Sequence, residues 1–239
     1  MYSRFDTAMM HGHRGTQKGP SVLLILVTVI FGCVFQTCSS SRETTTGSTA
    51  RGEDPVLVER REKDREFKSG KSSPIAAEDR GHFQGLAYFD LNPNLRFRVK
   101  LNRYPEPRNI RLGTNTGEMR DALRYGYFDF QVDGRDCRLQ VYRVEDTDSG
   151  NGPSLFIPYR DATTGKESYG AGRYIDLKEN TTGYYDLDFN RAYNPYCAYG
   201  KGYSCPVPPS ENTLAVPIRA GEKSYPPAPD RQQAEGSRQ

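Results

Sequence analysis

The sequence predicts a mainly β domain, an antiparallel sandwich or a partly closed barrel with one or two short N-terminal helices. Several short segments alternate between apolar and polar side chains, which is the period of a half-buried strand. Gly and Pro separate these segments at intervals of about 10 to 20 residues. Of the 239 residues, 35% are hydrophobic and 11% are aromatic, with 16 Tyr and 11 Phe. The chain therefore has rings for a core, and its low hydrophobic share indicates polar ends.

The N-terminus resembles an export signal. Residues 22–35 form an unbroken, largely apolar run that follows Arg14 and Lys18. This run has the length of a signal-peptide core and is short for a membrane-spanning helix. Within it, the small Gly32 precedes Cys33, as in a bacterial lipobox. We therefore predict that Cys33 is lipidated.

This interpretation makes residues 1–32 a cleaved leader. Cys38 is a weaker lipidation candidate because Gln and Thr precede it. Two alternatives stay open, an uncleaved anchor helix over 19–41 and simple secretion. All three place the rest of the chain outside the cytoplasm. We expect an exported protein, periplasmic or on the outer surface of the cell envelope, with the membrane as its partner through a lipid anchor.

Composition divides the remainder into three parts. Residues 33–53 become rich in Ser, Thr and Gly and predict a flexible tether. Residues 54–225 carry the strand patterns and predict a single β-rich domain. Residues 226–239 are polar, with Pro and Gln, and predict a disordered tail.

The domain opens with helix signals. Asp54 can cap a helix whose first residue is Pro55, and the charged segment after it predicts a surface helix. Ser73 and Pro74 repeat the signal before a second short helical turn that ends near Gly81.

Strand patterns follow. Apolar residues alternate with basic ones over 95–101. The clearest hairpin joins 128–132 to 137–141 through Asp133-Gly134, a pair that favours a type I′ turn. Cys137 lies on the apolar face and predicts a buried core thiol. Further strands are predicted over 154–158, 172–177, 184–190 and 214–218.

Charge and histidine content exclude several classes of protein. The net charge is +3, and the leader carries most of it, so the near-neutral body predicts no nucleic-acid binding. His82 is the only one of three histidines that lies in the body. A Ser-His-Asp triad and a multi-histidine metal site are therefore disfavoured. We predict no cofactor and no bound metal.

Cys197 and Cys205 lie eight positions apart in one loop. In an oxidising compartment they can form a disulfide, which would stabilise the fold by about 2.5 kcal/mol. Metal ligation and redox chemistry are the alternatives. The loop also holds four tyrosines, which predict either a ligand platform or, as we favour, a long loop packed by its own rings.

Two polar segments hold the candidate chemistry. The first, 158–177, contains Asp161, Glu167 and Arg173, and its glycines favour a hairpin turn over an anion-binding loop. The second, 186–212, adds further oxygen-bearing side chains. Alternation over 186–190 predicts one strand face of oxygens, which favours a solvated surface over a calcium site. The candidate polar site consists of Asp161, Glu167, Arg173, Asp188, Asn190 and Asn194.

The two segments resemble a known family. The runs HFQGLAYF (82–89), LFIPYRDATTGKESYGAGRYIDL (155–177) and the whole of 186–222 are similar to the bacterial and archaeal domain of unknown function 1684. The resemblance covers about 55–223 and implies a single strand-rich domain of unassigned activity. It gives no catalytic residue. Residues at matching positions are Asp161, Thr163, Gly165, Glu167, Tyr169, Gly170, Gly172, Arg173, Asp188, Asn190, Asn194, Cys197, Cys205, Pro209, Glu211 and Asn212.

Three functions are compatible with these observations. We favour a non-catalytic binding or accessory module of the cell envelope that uses the two polar segments as one surface. The first alternative is a hydrolase that uses two carboxylates from Asp161, Glu167 and Asp188, with or without a cation. The second is a purely structural domain stapled by its disulfide. Whether the protein is an enzyme stays open.

Overall fold

The computed structural model describes residues 52–144 and 153–225. These residues form one α-helix, α1, and seven β-strands, with short 3₁₀ helices before the first strand and after the last. The elements are α1 (Pro55–Ser69), β1 (Arg96–Lys100), β2 (Asn102–Gly113), β3 (Met119–Val132), β4 (Arg135–Val144), β5 (Ser154–Tyr159), β6 (Arg173–Lys178) and β7 (Tyr184–Asp188).

The strands form two antiparallel sheets. Strands β1 and β7 pair with each other, and the other five form a sheet in the order β2-β3-β4-β5-β6. The chain is therefore mainly β, as predicted, and the arrangement of the described strands fits a sandwich rather than a closed barrel.

The main core lies between the two sheets. Leu187 of β7 and Val99 of β1 pack against Phe128, Leu139 and Ile157 of the larger sheet. Four of these side chains, Phe128, Leu139, Ile157 and Leu187, are fully buried. At about 1.5–3 kcal/mol for each buried large apolar side chain, this layer is the main source of stability.

The predicted hairpin is confirmed. Strands β3 and β4 join through Asp133, with φ of 49°, and Gly134, with φ of 72°. Two successive positive φ angles are the requirement of a type I′ turn. Cys137 is buried, as the alternation predicted.

Strand β2 and the first half of β3 have no counterpart in the sequence prediction. Strand β2 is an edge strand, and Leu112 is its only buried residue. Its register with β3 shifts between Arg103 and Arg108, where Pro105 and Pro107 lie. Proline and charge on an edge strand block pairing with other chains. An edge strand of this kind has little apolar alternation to detect.

Three predicted boundaries need correction. Residues 214–218 form a segment that bends at Ala215 and Val216 rather than a strand, although Leu214, Val216 and Ile218 are buried. Strand β7 ends at Asp188 because its carboxylate accepts from the N–H of Asn190 and starts a 3₁₀ turn. The second helical turn reduces to a three-residue 3₁₀ helix at Arg80–His82.

The predicted leader 1–32, Cys33, nearly all of the tether 33–53 and the tail 226–239 lie outside the described residues. Within 52–144 and 153–225, no helix has both the length and the hydropathy to cross a membrane.

Candidate functional site

Asp161 and Arg173 form a buried ion pair. The guanidinium Nη2 of Arg173 lies 3.2 Å from Oδ2 of Asp161, and the two side chains are 1% and 0% exposed. The Oδ1 atom of Asp161 accepts from the N–H and hydroxyl of Thr163 and from the hydroxyl of Thr164. Its Oδ2 also accepts from the N–H of Ile218 at 2.6 Å. The Asp161 carboxylate is therefore fully engaged by the protein itself.

The Arg173 side chain binds the backbone of the C-terminal segment, residues 189–225. It donates to the carbonyls of Ile218 at 2.8 Å, of Glu222 at 3.1 Å and of Ala220. Gly172 precedes it with φ of 104°, and a Cβ there would lie 2.6 Å from the carbonyl oxygen of Tyr159. Glycine is therefore required at the position that leads Arg173 into β6.

Glu167 lies apart from this ion pair, on the surface. Its carboxylate accepts a two-pronged hydrogen bond from Arg219, at 2.9–3.1 Å. This hydrogen bond, together with the positive charge of Arg219, lowers the pKa of Glu167. The arrangement is a solvent-exposed salt bridge, which contributes little to stability.

Asp188 and Asn190 form a second buried group. The Oδ1 atom of Asp188 accepts from the N–H and side-chain amide of Asn190, at 2.9 and 2.8 Å. Its Oδ2 lies 3.2 Å from Nε of Arg96. Asn190 also binds the backbone N–H and carbonyl of Asn92, at 2.8 and 2.9 Å. These bonds connect β7 to the chain that leads into β1.

Asn194 belongs to a third group that the sequence prediction missed. Glu222 and Lys63 form an ion pair whose side chains are each 2% exposed. The other carboxylate oxygen of Glu222 accepts from the N–H of Asn194 at 2.9 Å and from the hydroxyl of Tyr199. This group joins α1 to the C-terminal segment.

Burial governs ionisation in this third group. It lowers the pKa of Lys63, opposed by the negative charge of Glu222. It also raises the pKa of Tyr199 well above the ordinary value, and the charge of Glu222 adds to the rise. An ion pair in such a setting is costly to separate, because either partner alone would be a buried, uncompensated charge.

The family-matching Asn212 has the same kind of role. Its Oδ1 accepts from the N–H of Gln140 at 2.7 Å, and its amide donates to the carbonyls of Gln140 and Pro158. The structure therefore places the predicted residues in three buried groups and one surface pair, and Arg173 links the first group to the third through the carbonyl of Glu222. Asp161 pairs with Arg173, Asp188 with Asn190, Asn194 joins Glu222, and Glu167 is outside all three.

A cleft of about 200 Å³ lies beside the second and third groups, at the edge where β6, β7 and α1 meet. We call it the α1 cleft. Two of the six predicted site residues, Asp188 and Asn190, line it, together with Glu222. The other four predicted site residues do not line it. Its walls are Val56, Glu59, Arg60, Tyr88, Ile175, Asp176, Leu177, Asp186, Asp188, Asn190, Arg191, Ala192, Tyr193 and Glu222.

Arg60 is the central cation of the α1 cleft. Its guanidinium lies 4.4 Å from the centroid of the Tyr88 ring. It donates to the carbonyls of Phe89 at 3.0 Å and Asn190 at 3.2 Å. Facing residue Asp176 accepts from the hydroxyl of Tyr193. The cleft thus combines an anchored cation, carboxylates and aromatic rings.

The cysteine loop is held by aromatic packing. Tyr196 and Tyr199 place their rings edge-on against Phe67 of α1, at centroid distances of 6.1 and 4.9 Å. The N–H of Cys197 donates to Sγ of Cys205 at 3.4 Å. The two cysteines do not form a clear disulfide in the structure, so the disulfide stays a prediction. The packed-loop interpretation agrees with these ring contacts.

Nowhere in the described part of the chain do three His, Cys, Asp or Glu side chains lie close enough together to hold an ion. The calcium alternative for Asp186, Asp188 and Asn190 loses part of its premise, because β7 ends at Asp188 and Asn190 lies in the 3₁₀ turn that follows. Asp186 pairs with Arg98 at the surface, whereas Asp188 and Asn190 are buried.

These features define an antiparallel β-sandwich domain whose loops are held by buried polar side chains. The chain belongs to the family described as protein of unknown function (DUF1684), whose model matches residues 81–223. It is also similar to a solution NMR structure of an uncharacterised protein of Haloarcula marismortui. The two share 37% identity and a TM-score of 0.55, over 71% of this chain and 92% of that one. A comparison with curated proteins gives no match.

Proposed function

We propose that this chain is an exported, membrane-tethered binding module that holds a small polar ligand in the α1 cleft. One observation carries the choice of a binding module over a hydrolase. The three carboxylates available for acid–base chemistry, Asp161, Glu167 and Asp188, are each engaged by an arginine of the same chain.

Paired-carboxylate hydrolysis needs two carboxyl groups that reach the scissile bond from opposite sides, about 5–9.5 Å apart. The Asp161 side chain is 0% exposed and both its oxygens are occupied. A substrate therefore has no access to it. Glu167 is accessible, but it belongs to a separate surface pair with Arg219. The geometry favours binding over catalysis.

The lining of the α1 cleft indicates the chemistry of its ligand. Five carboxylates and two guanidinium groups contribute to the walls. Four of the carboxylates have a cationic partner, namely Arg191 for Glu59, Arg98 for Asp186, Arg96 for Asp188 and Lys63 for Glu222. The cleft is therefore polar without a large net charge. Apolar walls from Val56, Ile175 and Leu177 complete it. A small ligand with both polar and apolar parts fits this surface.

Ligand retention tests the cleft. The full chain is purified from its native membrane, and co-purifying small molecules are identified by mass spectrometry. Asp186→Lys reverses a charge at the exposed rim of the cleft, and Asp129→Lys is its matched control. Both residues are exposed and pair with an arginine, and Asp129 does not line the cleft.

We expect wild type and Asp129→Lys to retain the same molecule and Asp186→Lys to lose it. Equal retention by both variants, or no bound molecule in any sample, would contradict a site in the α1 cleft. Hydrolysis of an ester or glycoside that Asp188→Asn abolishes, with unfolding unchanged, would support the hydrolase alternative.

The tether rests on the sequence, since the apolar run 22–35 contains Gly32-Cys33 and the domain follows a polar segment. Replacing Cys33 by Ser and fractionating the cells tests it. If Cys33 is lipidated, the Cys33→Ser variant should lack the mass of the lipid. It should also be released from the membrane, because it has no acyl chains to hold it there. Unchanged mass together with unchanged membrane retention would favour an uncleaved anchor helix.

A further inference from the structure

We propose a second, separate site on this domain, an oxyanion-binding groove formed by Arg108 and Arg124 on the β2–β3 hairpin. Its ligand group is a phosphate or sulfate. The groove does not share a residue with the α1 cleft.

The antiparallel register places the two arginines side by side. Arg108 of β2 is directly opposite Arg124 of β3. Directly opposed side chains lie on the same face of a sheet, with Cβ atoms about 4.5–5.5 Å apart. Like charges at this separation destabilise a sheet, and an anion bound between them would remove the repulsion.

Arg124 is fixed in position before any ligand arrives. Its Nη2 donates to Glu211 at 2.7 Å, and its guanidinium lies 5.1 Å from the centroid of the Tyr104 ring. The Tyr104 hydroxyl in turn donates to Gln140 at 2.7 Å. The Nε atom of Arg124 is buried and has no hydrogen-bond partner among the residues that the structure describes. A fixed guanidinium costs less conformational entropy on binding than a mobile one.

Arg108 supplies the second positive charge. Its side chain is exposed, and across 52–144 and 153–225 that side chain makes no hydrogen bond or ion pair. It follows an irregular part of β2 that contains Pro105 and Pro107, which restrict the backbone there. The groove beside it has a volume of about 370 Å³ and is lined by Tyr104, Pro105, Glu106, Arg108 and Arg124.

Guanidinium groups bind phosphate and sulfate through paired, charge-assisted hydrogen bonds, so two adjacent arginines select an oxyanion. Glu106 is the one carboxylate in the lining of the groove. It competes with a bound anion for the arginines and therefore weakens binding. Removal of an arginine should therefore weaken binding of the oxyanion, and removal of Glu106 should strengthen it.

The test is an NMR titration of the ¹⁵N-labelled full chain in a maltoside detergent, with inorganic phosphate as the probe and chloride at equal ionic strength as the control. Amide and arginine Nε–Hε signals report the position of binding. We expect saturable shifts at Tyr104, Arg108 and Arg124, with a dissociation constant of about 1–10 mM.

Arg108→Gln should weaken phosphate binding by about fivefold or more, and Glu106→Gln should strengthen it. Arg111→Gln is the matched control, because Arg111 is exposed on the same strand but points to the opposite face. Unchanged affinity in Arg108→Gln, equal weakening in Arg111→Gln, or shifts that chloride reproduces would overturn the proposal. Vesicles of phosphatidylglycerol and of phosphatidylcholine then distinguish a lipid phosphate from a soluble one. Shifts that depend on Arg108 and require vesicles indicate a lipid phosphate, and shifts that occur without vesicles indicate a soluble phosphate.

Discussion

The strand-built sandwich and the C-terminal segment 189–225 are held together in different ways. The sandwich buries apolar side chains such as Phe128, Leu139 and Leu187 between two sheets. The described residues of 189–225 contain no strand, and their backbone is held both by isolated backbone–backbone hydrogen bonds and by buried polar side chains. Arg173 alone donates to three of its carbonyls.

The difference has a physical origin. Backbone N–H and C=O groups that are buried must find partners, and a strand finds them in its neighbouring strand. A buried segment without strands finds them in isolated backbone bonds, such as those between Tyr174 and Tyr193, and in side chains. The polar residues that match the family are therefore explained largely as hydrogen-bond partners of a buried loop, and their presence alone does not indicate catalysis.

The largest expected effect is loss of the fold at alkaline pH. Burial raises the pKa of Tyr142, Tyr159, Tyr174 and Tyr199 above the ordinary value of 10.0. The unfolded chain then releases these protons at lower pH than the folded chain does. Stability is complete below about pH 10 and falls as the pH rises further, by about 1.4 kcal/mol per pH unit for each tyrosine. Urea unfolding followed by circular dichroism between about pH 8 and 11 measures this loss.

Two phenylalanine variants compare the regions in the same experiment. Tyr159, in the sandwich core, has a buried hydroxyl that finds no hydrogen-bond partner within 52–144 and 153–225, so Tyr159→Phe should be neutral or stabilising. Tyr199→Phe should destabilise at neutral pH by about 1–3 kcal/mol, because Glu222 loses a hydrogen bond. The opposite order would mean that the C-terminal segment does not depend on its polar contacts.

Arg173→Met should cost about 3–5 kcal/mol of unfolding free energy, because it leaves Asp161 as a buried, uncompensated charge. Arg138→Met is the control, since Arg138 forms an exposed pair with Asp129 and its loss should have little effect. Denaturant titrations of both variants give the two values. Similar small changes in both would show that burial of the Asp161–Arg173 pair carries no energetic weight.

A Cys197–Cys205 disulfide should contribute about 2.5 kcal/mol in protein from an oxidising compartment. Peptide mapping without reductant should show the two peptides linked, and reductant should destabilise wild type but not Cys205→Ser. Thiols at both positions in natively exported protein would refute the disulfide. Metal bound there would instead support ligation.

The smallest effect is expected at Glu167. Its carboxylate is paired with Arg219 at the surface, where solvent screens the interaction. Glu167→Gln should leave the unfolding midpoint near that of wild type, whereas Asp161→Asn should lower it clearly. A large loss in Glu167→Gln would place that residue in the buried network, contrary to its exposed position.

The sequence predicted features with a local signal and missed those without one. The β3–β4 hairpin was predictable because Asp133-Gly134 sits between two alternating runs. The bond from the N–H of Ile218 to Asp161 was not, because Ile218 lies 57 positions away and no local pattern connects the two. Asn190 was assigned to a strand face because alternation continues one residue past the point where Asp188 caps a 3₁₀ turn. The Lys63–Glu222 ion pair was missed because Lys63 lies in α1, which is otherwise a charged surface helix.

The central claim is that Asp161 and Arg173 act as one buried structural unit. A double-mutant cycle of Asp161→Asn and Arg173→Met, measured by urea unfolding, tests it directly. We predict that each single variant is strongly destabilised and that the coupling free energy is at least about 2 kcal/mol. Single variants with near wild-type stability and a coupling near zero would contradict the account.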